Sequence, residues 1–151
     1  MLGNFTFYNP TKLYFGENSL DNLSKELGKY GEKVMLVYGS GSIRKNGIYD
    51  AVLAELRKAG KQTVELSGVM PNPTVEKLYE GCRRAREGKV ELILAVGGGS
   101  AIDCAKGVAA AAKTADGDVW PLVAGGAWVT DALPVAVVLT NAATGSEMDA
   151  W

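Results

Sequence analysis

Short β-branched apolar runs alternate along the chain with longer stretches of helical period. Residues 33–38, KVMLVY, form the first compact run and end in the loop GSGS at 39–42. Ile48, Val52, Leu53, Leu56 and Ala59 then recur at helical spacing up to Gly60, which predicts an amphipathic helix with a glycine stop. QTVEL (62–66) has the character of a second strand, and SGVMPNP (67–73) that of a loop stiffened by Pro71 and Pro73. Thr74 is placed to cap a helix running to about residue 87, with Gly88 behind it. VELILAV (90–96) is the most apolar candidate strand, and GGGS (97–100) follows it at once. An alanine-rich helix over 101–113, a polar glycine-containing stretch over 114–132 and a last apolar run, LPVAVVLT (133–140), complete the series. Ahead of them, FTFYNPTKLYFG (5–16) carries two aromatic runs around Asn9-Pro10. That pattern predicts an edge hairpin, with a helix following from about Ser19 to Gly28.

Strands separated by helices of about 10–15 residues predict βαβ units and a parallel sheet. The near-continuous apolar character of 92–96 and 135–139 predicts burial on both faces for each of these strands. No repeat or long linker divides the chain, so residues 1–151 are expected to form one α/β domain.

Composition narrows the chemistry. Sixteen Lys and Arg against 17 Asp and Glu leave a net charge of −1, which offers no basic surface for nucleic acid. No apolar run is long enough for a membrane helix, and residues 1–15 lack a signal-peptide pattern, so the cytoplasm is the expected location. Only two cysteines are present, Cys82 and Cys104, both on apolar helical stretches and expected to be buried thiols. Trp120, Trp128 and Trp151 are expected to pack rather than to stack on a ligand. Histidine is absent altogether, which excludes Ser–His and Cys–His nucleophiles and histidine metal sites. Glycine, at 19 of 151 residues, is in excess and clustered.

In open α/β sheets ligands gather at the carboxyl ends of the strands, and two of those ends are glycine-rich here. Gly97, Gly98, Gly99 and Ser100 stand between an apolar strand and a helix. There the backbone can approach a phosphate without a Cβ, and the helix start offers free N–H groups and positive partial charge. Ser100 could cap that helix or donate to a phosphate oxygen. An ordinary tight turn would have the same outline. The loop Gly39-Ser40-Gly41-Ser42 lacks the third glycine of a dinucleotide fingerprint, since Arg44 stands in its place, and neither loop is a Walker A motif. Asp103 and Lys106, three apart, could form a helix-surface ion pair, or Asp103 could face a ligand from the first helical turn. Thr140, Thr144, Ser146 and Glu147 form a hydroxyl-rich cluster that by itself reads as turn chemistry.

Taken together, GGGSAIDCAK (97–106) resembles the glycine-rich motif of the iron-containing (group III) alcohol dehydrogenase family. FTFYNPTKLYFG (5–16) is similar to that family's amino-terminal start. YGSGSIRKNGIYD (38–50) and PNP (71–73) resemble the branch of butanol dehydrogenases and broad aldehyde reductases, and VLTNAATGSEMD (138–149) its TGSE segment. The resemblance implies a Rossmann-like parallel sheet with flanking helices and an N-terminal β-hairpin. It places Gly97, Gly98, Gly99 and Ser100 on a dinucleotide pyrophosphate and Asp103 near the nicotinamide and substrate. It lines the cleft with Thr140 and Thr144, and sets Gly39, Ser40, Gly41 and Ser42 at the adenosine ribose, with Asn72 and Pro73 nearby. Ser40, Ser42, Arg44 and Lys45 could accommodate a 2′-phosphate, and no acidic residue follows the first strand, so NADP(H) is expected over NAD(H).

The family holds iron or zinc through one Asp and three His in a following helical region. With no histidine, this sequence places that metal on no residue. The chain is therefore expected to be the dinucleotide-binding part of a longer alcohol dehydrogenase or aldehyde reductase, inactive alone and prone to self-association or homodimer formation. A polyol dehydrogenase such as glycerol dehydrogenase, and a non-catalytic nucleotide-binding module, are the competing possibilities.

Overall fold

In the computed structural model, which describes residues 3–6 and 8–149, four parallel strands carry helices on both faces. The strands are β1 (Lys33–Tyr38), β2 (Gln62–Leu66), β3 (Leu92–Gly97) and β4 (Val135–Leu139), in the spatial order β2-β1-β3-β4. The helices are α1 (Leu23–Leu27), α2 (Ser42–Lys45), α3 (Ile48–Lys58), α4 (Val75–Glu87), α5 (Gly99–Ala111) and α6 (Trp120–Val123). None is long and apolar enough to cross a membrane.

The period of two along β1 and β3 divides their side chains between two cores. Met35, Val37, Ile93 and Ala95 pack with Leu78 and Cys82 of α4 and with Ile102, Ala105 and Val108 of α5. Val34, Leu36, Leu92, Leu94 and Val96 pack on the other face, with Leu27, Val52 and Leu56. Each fully buried side chain of this size contributes about 1.5–3 kcal/mol relative to exposure, which is why Val34–Val37 of β1 and Leu92–Val96 of β3 are apolar throughout. Thr74 caps α4 as the sequence predicts, accepting from the Lys77 N–H, and Gly88 ends it. Both cysteines are buried, and burial pushes the Cys104 thiol up to about 11.

Four expectations are corrected. β4 is an edge strand and only half-buried: Val135 and Val137 touch one core and Ala136 and Val138 the other, but no strand among the described residues lies on its outer side. The N-terminal β-hairpin does not form among the described residues of 5–16; Phe7 lies outside them. That segment is held by side chains instead. Asn9 Oδ1 accepts from the Thr11 N–H, and Tyr14 and Lys12 both donate to Glu26. Phe5, Tyr8 and Phe15 are left exposed. Trp120 and Trp128 are exposed rather than packed, because the 114–132 stretch turns Val119 and Leu122 towards the core instead; Trp151 lies outside the described residues. Finally, the glycine-loop helix begins at Gly99 rather than 101, with Gly98 at its cap position, so Ser100 does not cap it.

Helices α4 and α5 approach closely because glycines face the contact. A Cβ on Gly81 would stand 2.4 Å from Val108 Cγ2 and 2.7 Å from Leu66 Cδ2, and one on Gly107 would stand 2.8 Å from Leu78 Cδ2. Gly81→Val is therefore expected to destabilise the chain by about 2–3 kcal/mol through overpacking. Gly126→Ala, whose nearest neighbour would be 3.7 Å away, should change stability by less than about 0.5 kcal/mol. Urea denaturation of the two variants measures the difference.

Candidate functional site

The parallel register sets the strand ends side by side. Tyr38 pairs with Val96 and Gly97 with Leu139, so the loops that begin at Gly39, Gly98 and Thr140 emerge as neighbours on one edge of the sheet. The Thr140 N–H donates to the Gly97 carbonyl at 3.0 Å, which ties the third loop to the second.

Gly97 has φ +155°, and a Cβ there would stand 3.0 Å from that of Ala101, so the turn into α5 requires glycine. Gly99 is needed for a different reason. Thr144 Oγ1 lies 2.5 Å from where its Cβ would be and Ser146 Oγ 3.3 Å, and the two hydroxyls share a hydrogen bond of 3.0 Å. The 144–146 segment is thus folded directly onto the glycine loop, with Ser146 buried. Gly98 differs from both. Its Cβ position meets only Asn141, at 3.6 Å, which leaves an open approach to the start of α5. The Ala101 and Ile102 N–H groups are taken by the Gly98 carbonyl, whereas those of Gly99 and Ser100 have no partner among the described residues. Two free amides, the positive end of a 13-residue helix and an unobstructed backbone fit the pyrophosphate of a dinucleotide.

Gly39, Ser40, Gly41 and Ser42 form the neighbouring loop. Backbone bonds from Gly68 N to the Gly39 carbonyl (3.2 Å) and from Val69 N to the Tyr38 carbonyl (3.1 Å) join it to the 67–73 loop. Asn72, with φ +54°, and Pro73 therefore lie in the segment that β1's loop anchors. Ser40 and Ser42 are exposed. Asp103 falls in the second turn of α5, exposed and without an ion pair among the described residues, so the Asp103–Lys106 pair does not form. Lys106 reaches instead to the Asp149 carboxylate and, at 2.8 Å, its carbonyl. Asn9 Nδ2 donates to the Met148 carbonyl at 2.7 Å, so the TGSE segment is tied down from two sides.

Residues 10–151 match the family model for iron-containing alcohol dehydrogenase. The chain belongs to the iron-containing alcohol dehydrogenase family. It is 51% identical over 146 residues to a probable NADH-dependent butanol dehydrogenase of Bacillus subtilis, covering 97% of this chain and 38% of that protein. It is 38% identical over 151 residues to an NADPH-dependent aldehyde reductase of Escherichia coli, covering 99% and 38%. Among solved structures, NADH-dependent butanol dehydrogenase A of Thermotoga maritima superposes with a TM-score of 0.91 at 46% identity, over 97% of this chain and 37% of that one. The chain thus spans less than two fifths of the length of these relatives.

The metal for which the family is named finds no fit here. The sequence has no histidine, and no group of three or more metal-ligating side chains occurs among the described residues. The glycine loop, in contrast, offers an open backbone at Gly98 and the unpartnered amides of Gly99 and Ser100, which would suit a phosphate group.

One cluster beside the β1 loop went unrecognised in the sequence. Glu65, on β2, accepts from Tyr38 OH and Tyr49 OH, each at 2.6 Å, and lies 3.4 Å from Arg44 Nη2. Arg44 also donates to Tyr38 OH at 2.5 Å, and its guanidinium lies 4.0 Å from the centre of the Tyr49 ring. The available signal was an acid on the second strand a little over 20 residues beyond the Gly39–Ser42 loop, a place dinucleotide folds use for ribose recognition. Burial pushes the Glu65 carboxyl up, but the two phenols and Arg44 outweigh it and hold it below the usual carboxylate range. The bond to Glu65 pushes Tyr49 up to about 12.

Because the folded carboxyl is the stronger acid, Glu65 stabilises the fold above its ordinary pKa of 4.5, and that contribution is lost as pH falls below it. The difference in melting temperature between the chain and Glu65→Gln should be constant near neutrality and shrink below about pH 4.5. Thermal melts from pH 7 to 3 measure it, and a difference that does not depend on pH would contradict the assignment.

Proposed function

We propose that residues 1–151 are the NAD(P)-binding N-terminal domain of a metal-dependent alcohol dehydrogenase or aldehyde reductase. The observation that carries this is the open start of α5 at Gly98, with the amides of Gly99 and Ser100 free and the hydroxyls of Thr144 and Ser146 alongside. In this reading Gly97–Ser100 hold the pyrophosphate, and Gly39–Ser42 receive the adenosine ribose beside Asn72 and Pro73. Thr140 and Thr144 line the cofactor cleft through hydroxyl hydrogen bonds, and Asp103 faces the nicotinamide and substrate side.

The bound nicotinamide supplies hydride exchange at its C4 with the carbinol carbon of a primary alcohol or the carbonyl carbon of an aldehyde. This chain's residues orient the dinucleotide and form one wall of the cleft. NADP(H) as well as NAD(H) is within reach of the site. Ser40, Ser42 and Lys45 offer hydroxyls and a cation to a 2′-phosphate, and the relatives include both NADH- and NADPH-dependent enzymes. The family's iron or zinc has no ligand set here, so the 151-residue chain alone should not reduce aldehydes. Turnover appearing on addition of Fe²⁺ or Zn²⁺ would contradict this. The exposed Phe5, Tyr8, Phe15 and Trp128 support self-association, which sedimentation velocity would detect.

Calorimetric titration with NAD⁺ and NADP⁺ tests the site. Gly98→Val sets its Cβ no closer than 3.6 Å to the rest of the fold, and its methyls would fill the approach to the α5 amides. It should weaken dinucleotide binding tenfold or more while leaving thermal stability nearly unchanged. Equal affinity in parent and variant would rule out the glycine loop as the pyrophosphate site.

A further inference from the structure

We propose that Glu65 governs discrimination between dinucleotides with and without a 2′-phosphate, acting through Arg44 as a positioning residue. This rests on the dinucleotide reading given above.

Arg44 lies on α2, the single helical turn that begins at Ser42 beside the β1 loop. Together with Lys45 it is the cationic group next to the hydroxyls of Ser40 and Ser42. A guanidinium free in that position would attract a 2′-phosphate strongly, since Arg is suited to bidentate phosphate recognition. The geometry does not leave it free. One edge donates to Tyr38 OH, one face lies over Tyr49, and Glu65 stands within ion-pair distance. Glu65 in turn fixes both tyrosines through their hydroxyls. The four side chains thus form a closed set linking β1, β2, α2 and α3.

Two physical consequences follow. An anion placed beyond a close Arg–Glu pair meets nearly compensated charge rather than a cation, which leaves Lys45 as the uncompensated group on α2. Turning Arg44 outward would also strip a part-buried carboxylate of its cation and a phenol of its donor, so reorientation is opposed. Both Glu65 oxygens already accept from tyrosines in this arrangement, which fixes the carboxylate against the cluster. Its influence is exerted through the charge and aim of Arg44.

The test is the ratio of NADP⁺ to NAD⁺ affinity, measured by titration of the chain, of Glu65→Gln, and of the double variant Glu65→Gln/Arg44→Gln. Glutamine can still accept from one phenol through its Oε1, while its amide nitrogen can only donate, and it leaves the Arg44 charge uncompensated. Glu65→Gln is expected to shift the ratio towards NADP⁺ tenfold or more, with NAD⁺ affinity changed less than threefold. The double variant, neutral like the parent pair, should return the ratio to within threefold of the parent value. An unchanged ratio in Glu65→Gln overturns the proposal, and so does a gain that persists without Arg44. If Glu65→Gln fails to fold, Arg44→Gln decides: it leaves the Glu65 charge uncompensated, so the ratio should shift towards NAD⁺ tenfold or more, and an unchanged ratio overturns the proposal. Binding with an unaltered ratio rejects the role of Glu65 only. Absence of binding of either dinucleotide to every variant rejects the dinucleotide reading itself.

Discussion

The register that sets Tyr38 opposite Val96 and Gly97 opposite Leu139 is the constraint on which the rest of the molecule depends. Parallel strands in that alignment end at one level, so loops far apart in sequence become neighbours without any direct attraction between them. The register is held by burial. A slip of one residue in β1 or β3 would exchange the two cores, sending Met35 and Val37 to the face built for Leu36 and Val34. The glycine loop has its position because the apolar strand behind it has no alternative one.

On this frame the local chemistry is set by close approach. Segment 144–146 can lie on the start of α5 only because Gly99 has no side chain, and Lys106 and Asn9 then hold the segment's far end. The helix start keeps two free amides with hydroxyls beside them, an arrangement that favours an anion over water through fixed dipoles. On the neighbouring loop the situation is reversed, for there the cation already has its counter-charge in Glu65.

Much of this was legible in the sequence, and the exceptions share a cause. The four apolar runs, the Thr74 cap and the glycine turn rest on local patterns, and each falls where the pattern put it to within a residue or two. What failed needed knowledge of a neighbour. The aromatic run at 5–16 has strand composition but forms no strand among its described residues, and Trp120 and Trp128 are left exposed. β4 reads as fully buried because its composition suits a central strand, although among the described residues it lies at the edge. The Arg44–Glu65 cluster joins residues about 20 apart through two phenols, and the spacing that marks Glu65 does not announce its contact with Arg44. Lys106 likewise passes over Asp103, its helix neighbour, for Asp149, 43 positions away.

Residue-resolved NMR titration of the chain with NAD⁺ examines most directly whether a dinucleotide lies across the aligned strand ends. Amide shifts should concentrate at Gly97–Ser100, extend to Gly39–Ser42 on one side and Thr140–Thr144 on the other, and leave the outer face of α4 unmoved. Shifts that bypass Gly99 and Ser100, or that centre on α4, would contradict the central claim.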